Sequence, residues 1–122
     1  MAKILYVDDE PDIREVAVMS LELDSELEVR ACASGSEALQ VAPEWKPDLI
    51  LLDVMMPVMD GPTTLAKLRE QPGTAETCVV FITARTQAHE VDRFVQLGAA
   101  GVIAKPFDPL QLAEQARAYL DL

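Results

Sequence analysis

Leu49-Ile50-Leu51-Leu52-Asp53, followed by the loop Met56-Pro57-Val58-Met59-Asp60-Gly61, is the stretch on which the reading of the fold turns. Four consecutive aliphatic residues leave a strand no polar face, so the segment predicts a central strand covered on both sides. It ends in a carboxylate. Pro62 then starts a helix carried by Leu65 and Leu68, and Gln71-Pro72-Gly73 breaks it.

The same unit recurs in both directions along the chain. Downstream, Val79-Val80-Phe81-Ile82 is a second buried strand, followed by Thr83 and Ala84. Val91, Phe94 and Val95 mark a helix that Gly98 can end in a left-handed cap. Gly101-Val102-Ile103-Ala104 reads as a short last strand followed by Lys105. Asp108 and Pro109 form an N-cap and first-turn pair for a helix through Leu112, Ala113, Ala116 and Leu120. Upstream, Ile4-Leu5-Tyr6-Val7 ends in Asp8-Asp9, and Ile13, Val16, Ala17 and Leu21 line one face of a helix. Leu27-Glu28-Val29-Arg30-Ala31 alternates as an edge strand would. Ser34 and Glu37 suit a capping box for a helix through Ala38, Leu39 and Ala42 that closes near Pro43, with Trp45 pinning the turn before Pro47. Five strand–helix pairs in alternation predict an α/β fold, a doubly wound parallel sheet with helices on both faces, filling residues 1–122 as one domain.

The totals agree with one domain. The 122 residues carry a net charge of −11, which argues against direct binding to nucleic acid or an anionic membrane. Cys32 and Cys78 lack the spacing of a metal or redox motif and read as reduced core thiols. The chain opens without a charged-then-apolar leader and has no apolar run of membrane-spanning length, so a cytoplasmic protein is expected.

In open parallel sheets, ligands bind beyond the carboxyl ends of the strands. Those ends carry Asp8 and Asp9, Asp53, Thr83 and Lys105. Two carboxylates about 4 Å apart repel by roughly 4 kcal/mol at a protein surface, so such a cluster calls for a hard divalent cation. Magnesium suits it, because it takes a few carboxylate oxygens and keeps waters or phosphate oxygens for the rest. A carboxylate is also a nucleophile toward phosphorus, with the cation and Lys105 neutralising charge on the transferring oxygens.

Val7-Asp8-Asp9-Glu10, Leu51-Leu52-Asp53-Val54-Met55-Met56-Pro57 with Gly61, Thr83-Ala84 and Lys105-Pro106-Phe107 together resemble response-regulator receiver domains, the CheY-like family of two-component signalling, over essentially the whole chain. The resemblance implies a five-stranded flavodoxin-like sheet in the order 2-1-3-4-5. It implies that Asp53 accepts a phosphoryl group from a phosphohistidine on a sensor histidine kinase or a histidine phosphotransfer protein. Asp9, Asp53 and the Met55 carbonyl would hold magnesium, or manganese in its place, with Asp8 helping directly or through water. Lys105 would touch the phosphoryl group, Thr83 would move toward it, and Ala84 would let backbone amides approach. Pro57 and Gly61 would shape the loop, and the bond before Pro106 would be cis. Met55 and Arg85 would flank the attacking water and tune phosphoryl lifetime.

One position departs from the pattern. Three residues before the lysine, most relatives carry an aromatic side chain that moves with the threonine, whereas here stands Val102, stiff and small. The route of the conformational signal must therefore differ. The expected product is a signalling switch that catalyses its own phosphotransfer and dephosphorylation, without turning over a separate substrate. It would dock on a downstream protein, act as a carrier in a phosphorelay, or serve as the receiver of a larger regulator. The face of helix 4, strand 5 and helix 5 would serve output or homodimerisation. His89, the lone histidine, reads as a solvated surface residue. A phosphohydrolase of the haloacid-dehalogenase type would need an aspartate where Met55 stands, and no P-loop, G-x-G-x-x-G turn or G-x-S-x-G elbow is present. A module that is never phosphorylated would lack Asp53, Thr83 or Lys105.

Overall fold

The computed structural model describes residues 1–120. Five strands and five helices alternate: β1 (Ala2–Val7), α1 (Pro11–Glu22), β2 (Leu27–Cys32), α2 (Gly35–Trp45), β3 (Leu49–Asp53), α3 (Gly61–Glu70), β4 (Cys78–Thr83), α4 (Ala88–Gln96), β5 (Gly101–Ala104) and α5 (Leu112–Arg117). All strands are parallel, in the order β2-β1-β3-β4-β5. This is the doubly wound flavodoxin-like arrangement expected.

Side-chain alternation along the central strands divides the core. Ile4, Tyr6, Leu49 and Leu51 point to one face, where Ala17 and Leu21 of α1 and Leu112 and Ala116 of α5 cover them. Leu5, Val7, Ile50 and Leu52 point to the other, under Ala38 and Ala42 of α2, Leu65 and Leu68 of α3 and Phe94 of α4. Every residue of β3 is buried, as a strand without a polar face requires.

Local signals explain most helix ends. The Ser34 hydroxyl accepts from the Glu37 N–H at 3.1 Å, while Glu37 accepts from the Ala33 N–H at 2.8 Å, one residue outside the box proper. Asp60 caps α3 by accepting from the Thr63 N–H at 2.8 Å. Gly98, at φ +111°, closes α4: its N–H donates to the Val95 carbonyl and that of Ala99 to Phe94.

Three expectations need correction. The second helix does not close at Pro43 but runs on to Trp45 and ends at Lys46, whose φ is +56°. Proline deprives the Leu39 carbonyl of its helical donor, and the Gln71 amide supplies one at 3.1 Å, so the helix survives. Trp45 lies in the last helical turn, with the Lys3 ammonium 5.4 Å from its ring centroid. The fifth helix starts at Leu112, not at Pro109. Asp108 instead organises a turn, its carboxylate accepting from the Leu110 N–H at 2.9 Å and its carbonyl from Gln111 and Leu112; Leu120 packs beyond the helix end. On α1 the apolar face is split: Ala17 and Leu21 are buried, but Val16 is 42% exposed.

Candidate functional site

The carboxyl end of the sheet gathers side chains from four strand ends. Asp8 is held first by its own turn, where its Oδ1 accepts from the Glu10 N–H at 3.0 Å and its carbonyl from the Arg14 guanidinium at 2.8 Å. Asp53 ends β3 with its side chain 4% exposed. Asp8, Asp9 and Asp53 each offer an oxygen, and these oxygens lie within 4.8 Å of one another. The main chain of Lys105 is tied to the end of β4 by its N–H donating to the Thr83 carbonyl at 2.9 Å, and the Lys105–Pro106 bond is cis. Its ammonium lies 3.3 Å from Asp8 Oδ2, 3.4 Å from Asp53 Oδ2 and 3.8 Å from Glu10.

These charges shape one another. Burial, then the neighbouring Asp8 carboxylate, pushes the Asp53 carboxyl up to about 6, although Lys105 pulls the other way. Burial pulls Lys105 down, but Asp53 and Asp8 outweigh it and leave its pKa raised. Lys105 is close to Asp53 Oδ2 without hydrogen-bond alignment, so this buried oxygen has no hydrogen-bond donor. An unsatisfied buried carboxylate oxygen beside two further carboxylates is what a hard cation would relieve. The donor set, all oxygen, fits magnesium.

Thr83 is 3% exposed, and its hydroxyl accepts from the Arg85 N–H at 3.0 Å. Ala84 and Arg85 are exposed and, with Thr86, Gln87 and Glu90, line a shallow cavity of about 340 Å³ beside the site. Arg85 thus meets Thr83 through its backbone. Val102 pairs with Phe81 in the sheet register and packs on the cluster that holds Phe81 and Phe94, whose rings lie 5.0 Å apart. The loop after Asp53 puts Met55 outward at 69% exposure and buries Met56. Pro57 is exposed, and its carbonyl accepts from the Met59 N–H. Gly61 seats that loop: a Cβ there would stand 2.6 Å from the Asp53 carbonyl oxygen and 2.9 Å from Val54 Cα. No side chain fits. His89 is exposed and lies 3.5 Å from Glu90, while Cys32 is buried, its thiol pushed up to about 12 by desolvation.

The sequence reading missed three features. Arg14 clamps the Asp8 carbonyl. Tyr6, placed in the core for its ring, donates its hydroxyl to Asp8 Oδ2 at 3.0 Å; a polar tip in an otherwise apolar strand two residues before the acidic pair was the available signal. Burial and the Asp8 charge raise the tyrosine's pKa, so it stays a donor. Third, an apolar furrow runs from the site between α1 and the β5–α5 segment. Ile13, Val16, Lys105, Pro106 and Phe107 line a hollow of about 250 Å³, and Val16 and Pro109 continue it toward Met19, Leu23 and Leu110.

Residues 4–117 match the response regulator receiver domain family. The chain is 33% identical over 120 residues to the DNA-binding dual master transcriptional regulator RpaA of Synechocystis sp., covering 98% of this chain and 49% of that protein. It is 35% identical over 118 residues to the DNA-binding response regulator MtrA of Mycolicibacterium smegmatis, covering 97% of this chain and 50% of that protein. The chain spans about half the length of the curated relatives it matches. Among solved structures, the Vibrio cholerae chemotaxis protein CheY4 superposes with a TM-score of 0.89 at 35% identity, over 98% of this chain and 99% of that one. The signal receiver domain of a signal transduction histidine kinase from Syntrophus aciditrophicus superposes with a TM-score of 0.82 at 31% identity, over 98% of this chain and 90% of that one. Among the described residues, no helix is long and apolar enough to cross a membrane.

Proposed function

This chain belongs to the response regulator receiver domain family of two-component signalling, and from that premise we propose that Asp53 accepts a phosphoryl group in a magnesium-dependent transfer from a phosphohistidine. The observation that carries this reading is the buried Asp53 Oδ2, which has no hydrogen-bond donor although it lies in a cluster with Asp8 and Asp9 and 3.4 Å from the Lys105 ammonium. Such an oxygen is a nucleophile without a competing hydrogen bond.

Asp8, Asp9, Asp53 and the Met55 carbonyl are the groups that would hold the metal, which when bound neutralises charge on the phosphoryl oxygens. The remaining work belongs to the protein. Asp53 attacks phosphorus, the P–N bond to the donor imidazole breaks, and Lys105 turns from the carboxylates to the new phosphoryl oxygens as a point charge. Thr83 donates a hydrogen bond from its hydroxyl to a phosphoryl oxygen, and Ala84 leaves room for backbone amides. Arg85 and Met55 border the approach of water and so set the lifetime of the acyl phosphate.

The donor protein has to cover the pocket mouth. The furrow that starts at Lys105 and runs past Val16 to Met19 and Leu23 offers it an apolar seat beside the site. The phosphorylated form would then engage a downstream protein.

Incubation with acetyl phosphate, with and without magnesium, tests the reading. We expect metal-dependent gain of one base-labile phosphate by the wild type and none by Asp53→Asn. Equal labelling of that variant would overturn the assignment.

A further inference from the structure

We infer that the Tyr6 hydroxyl is a positioning group of the acidic pocket, fixing the Asp8 carboxylate so that Lys105 can leave it and Oδ1 of Asp8 stays open to the cation. The inference rests on the phosphoacceptor reading above and adds a residue to it.

Tyr6 and Asp8 are both 0% exposed. A phenylalanine would fill the same core volume, and a buried hydroxyl is costly unless it finds a partner. Here the partner is Asp8 Oδ2, 3.0 Å away. The ring is braced edge-on by Phe107, with centroids 6.5 Å apart and planes at 75°. Phe107 follows Lys105 and Pro106, so the segment that presents the ammonium also fixes the hydroxyl.

An ionised carboxylate has about four acceptor positions. On Asp8, Oδ2 takes the Tyr6 O–H and the Lys105 ammonium, the latter at 3.3 Å, while Oδ1 takes one donor, the Glu10 N–H. Spare acceptor capacity therefore lies on Oδ1. When Lys105 swings toward a phosphoryl group, Tyr6 still satisfies Oδ2 and keeps the carboxylate from rotating. Without the hydroxyl, Lys105 is the sole donor to a fully buried oxygen. The pair would then grip each other, opposing both cation entry and release of the lysine.

Tyr6→Phe tests this in the intact chain. Calorimetric titration of the unphosphorylated protein with magnesium should give a Kd weakened about tenfold, and labelling by acetyl phosphate at saturating magnesium should slow by a similar factor. In an Asp8→Asn background, Tyr6→Phe should add nothing to magnesium affinity. An unchanged Kd and labelling rate, whatever the unfolding midpoint, would overturn the inference, as would an equal loss in the Asp8→Asn background. Should Tyr6→Phe fail to fold, 3-fluorotyrosine in the otherwise unaltered chain gives a second readout, because only Tyr6 and Tyr119 carry it. Magnesium should shift the Tyr6 resonance and leave that of Tyr119 in place; no shift at Tyr6 sinks the idea. A wild type that binds magnesium but takes no phosphate would remove the phosphoacceptor reading and leave the magnesium titrations to judge Tyr6.

Discussion

The main-chain N–H of Arg85 donates to the Thr83 hydroxyl oxygen at 3.0 Å, which ties that threonine to the loop that leads into α4. Moving Thr83 inward therefore releases a backbone amide two residues on. With Val102 in place of an aromatic side chain, this loop would be the outlet for the inward movement proposed for Thr83. Thr83→Val keeps the shape but strands the amide. We expect it to lose about 1 kcal/mol of stability, to accept phosphate still, and to show no phosphorylation-dependent amide shifts across residues 84–90 in NMR spectra. Wild-type-like shifts in that variant would divert the signal path elsewhere.

The raised pKa of Asp53 has a measurable consequence for stability. Its ordinary value is 3.8 and its folded value about 6, so the native state holds a proton that the unfolded chain has already lost between those limits. Stability from this group is therefore highest below about pH 4 and falls as pH rises through 6. At pH 7 without divalent metal, we expect Asp53→Asn to gain about 1–3 kcal/mol in urea unfolding, a gain that vanishes near pH 4. Magnesium should stabilise the wild type at pH 7 and the variant much less. A pH-independent difference would mean that the carboxylate is not under this field.

Met19 and Leu23 are 62% and 71% exposed on the furrow and far in function from the acidic pocket. Met19→Glu should slow transfer from a phosphohistidine protein at least tenfold and leave labelling by acetyl phosphate unchanged, because only the protein donor needs the seat. Equal slowing with both donors would refute the docking role.

Gly61 offers a steric test. A methyl group at this position meets the Asp53 carbonyl and Val54 Cα, both backbone atoms that cannot swing aside. Gly61→Ala should cost about 1–3 kcal/mol and lower the acetyl phosphate labelling rate by displacing the loop that carries Met55. Normal labelling in a well-folded Gly61→Ala variant would show that the seat of the loop is not critical.

Much of this molecule could be read from its sequence because the decisive signals are local. The aliphatic run at residues 49–52, the alternation at residues 27–31 and Gly98 each fix a strand or a helix end without help from distant residues. The polar positions at strand ends were legible for the same reason: in a parallel sheet every strand end faces one rim, so Asp8, Asp9, Asp53, Thr83 and Lys105 had one place to meet. What escaped were features set by tertiary partners. Pro43 stays helical because Gln71 reaches across to the Leu39 carbonyl. Asp108 and Pro109 carry a helix-start pattern, yet the Asp108 side chain closes a turn first. Tyr6 looked like any core aromatic until its hydroxyl met Asp8, and the split face of α1 depends on how far α5 extends to cover it.

The edge strand β2 places Glu28 and Arg30 outward, with opposite charges two residues apart. A neighbouring chain that tried to extend the sheet on this side would have to match that pattern of signs against its own backbone and side chains, at a cost in desolvation. The opposite edge, β5, is only four residues long. The sheet is thus poorly suited to growing by strand addition, which leaves its hydrogen-bonded scaffold undisturbed by contacts made at the helical surfaces.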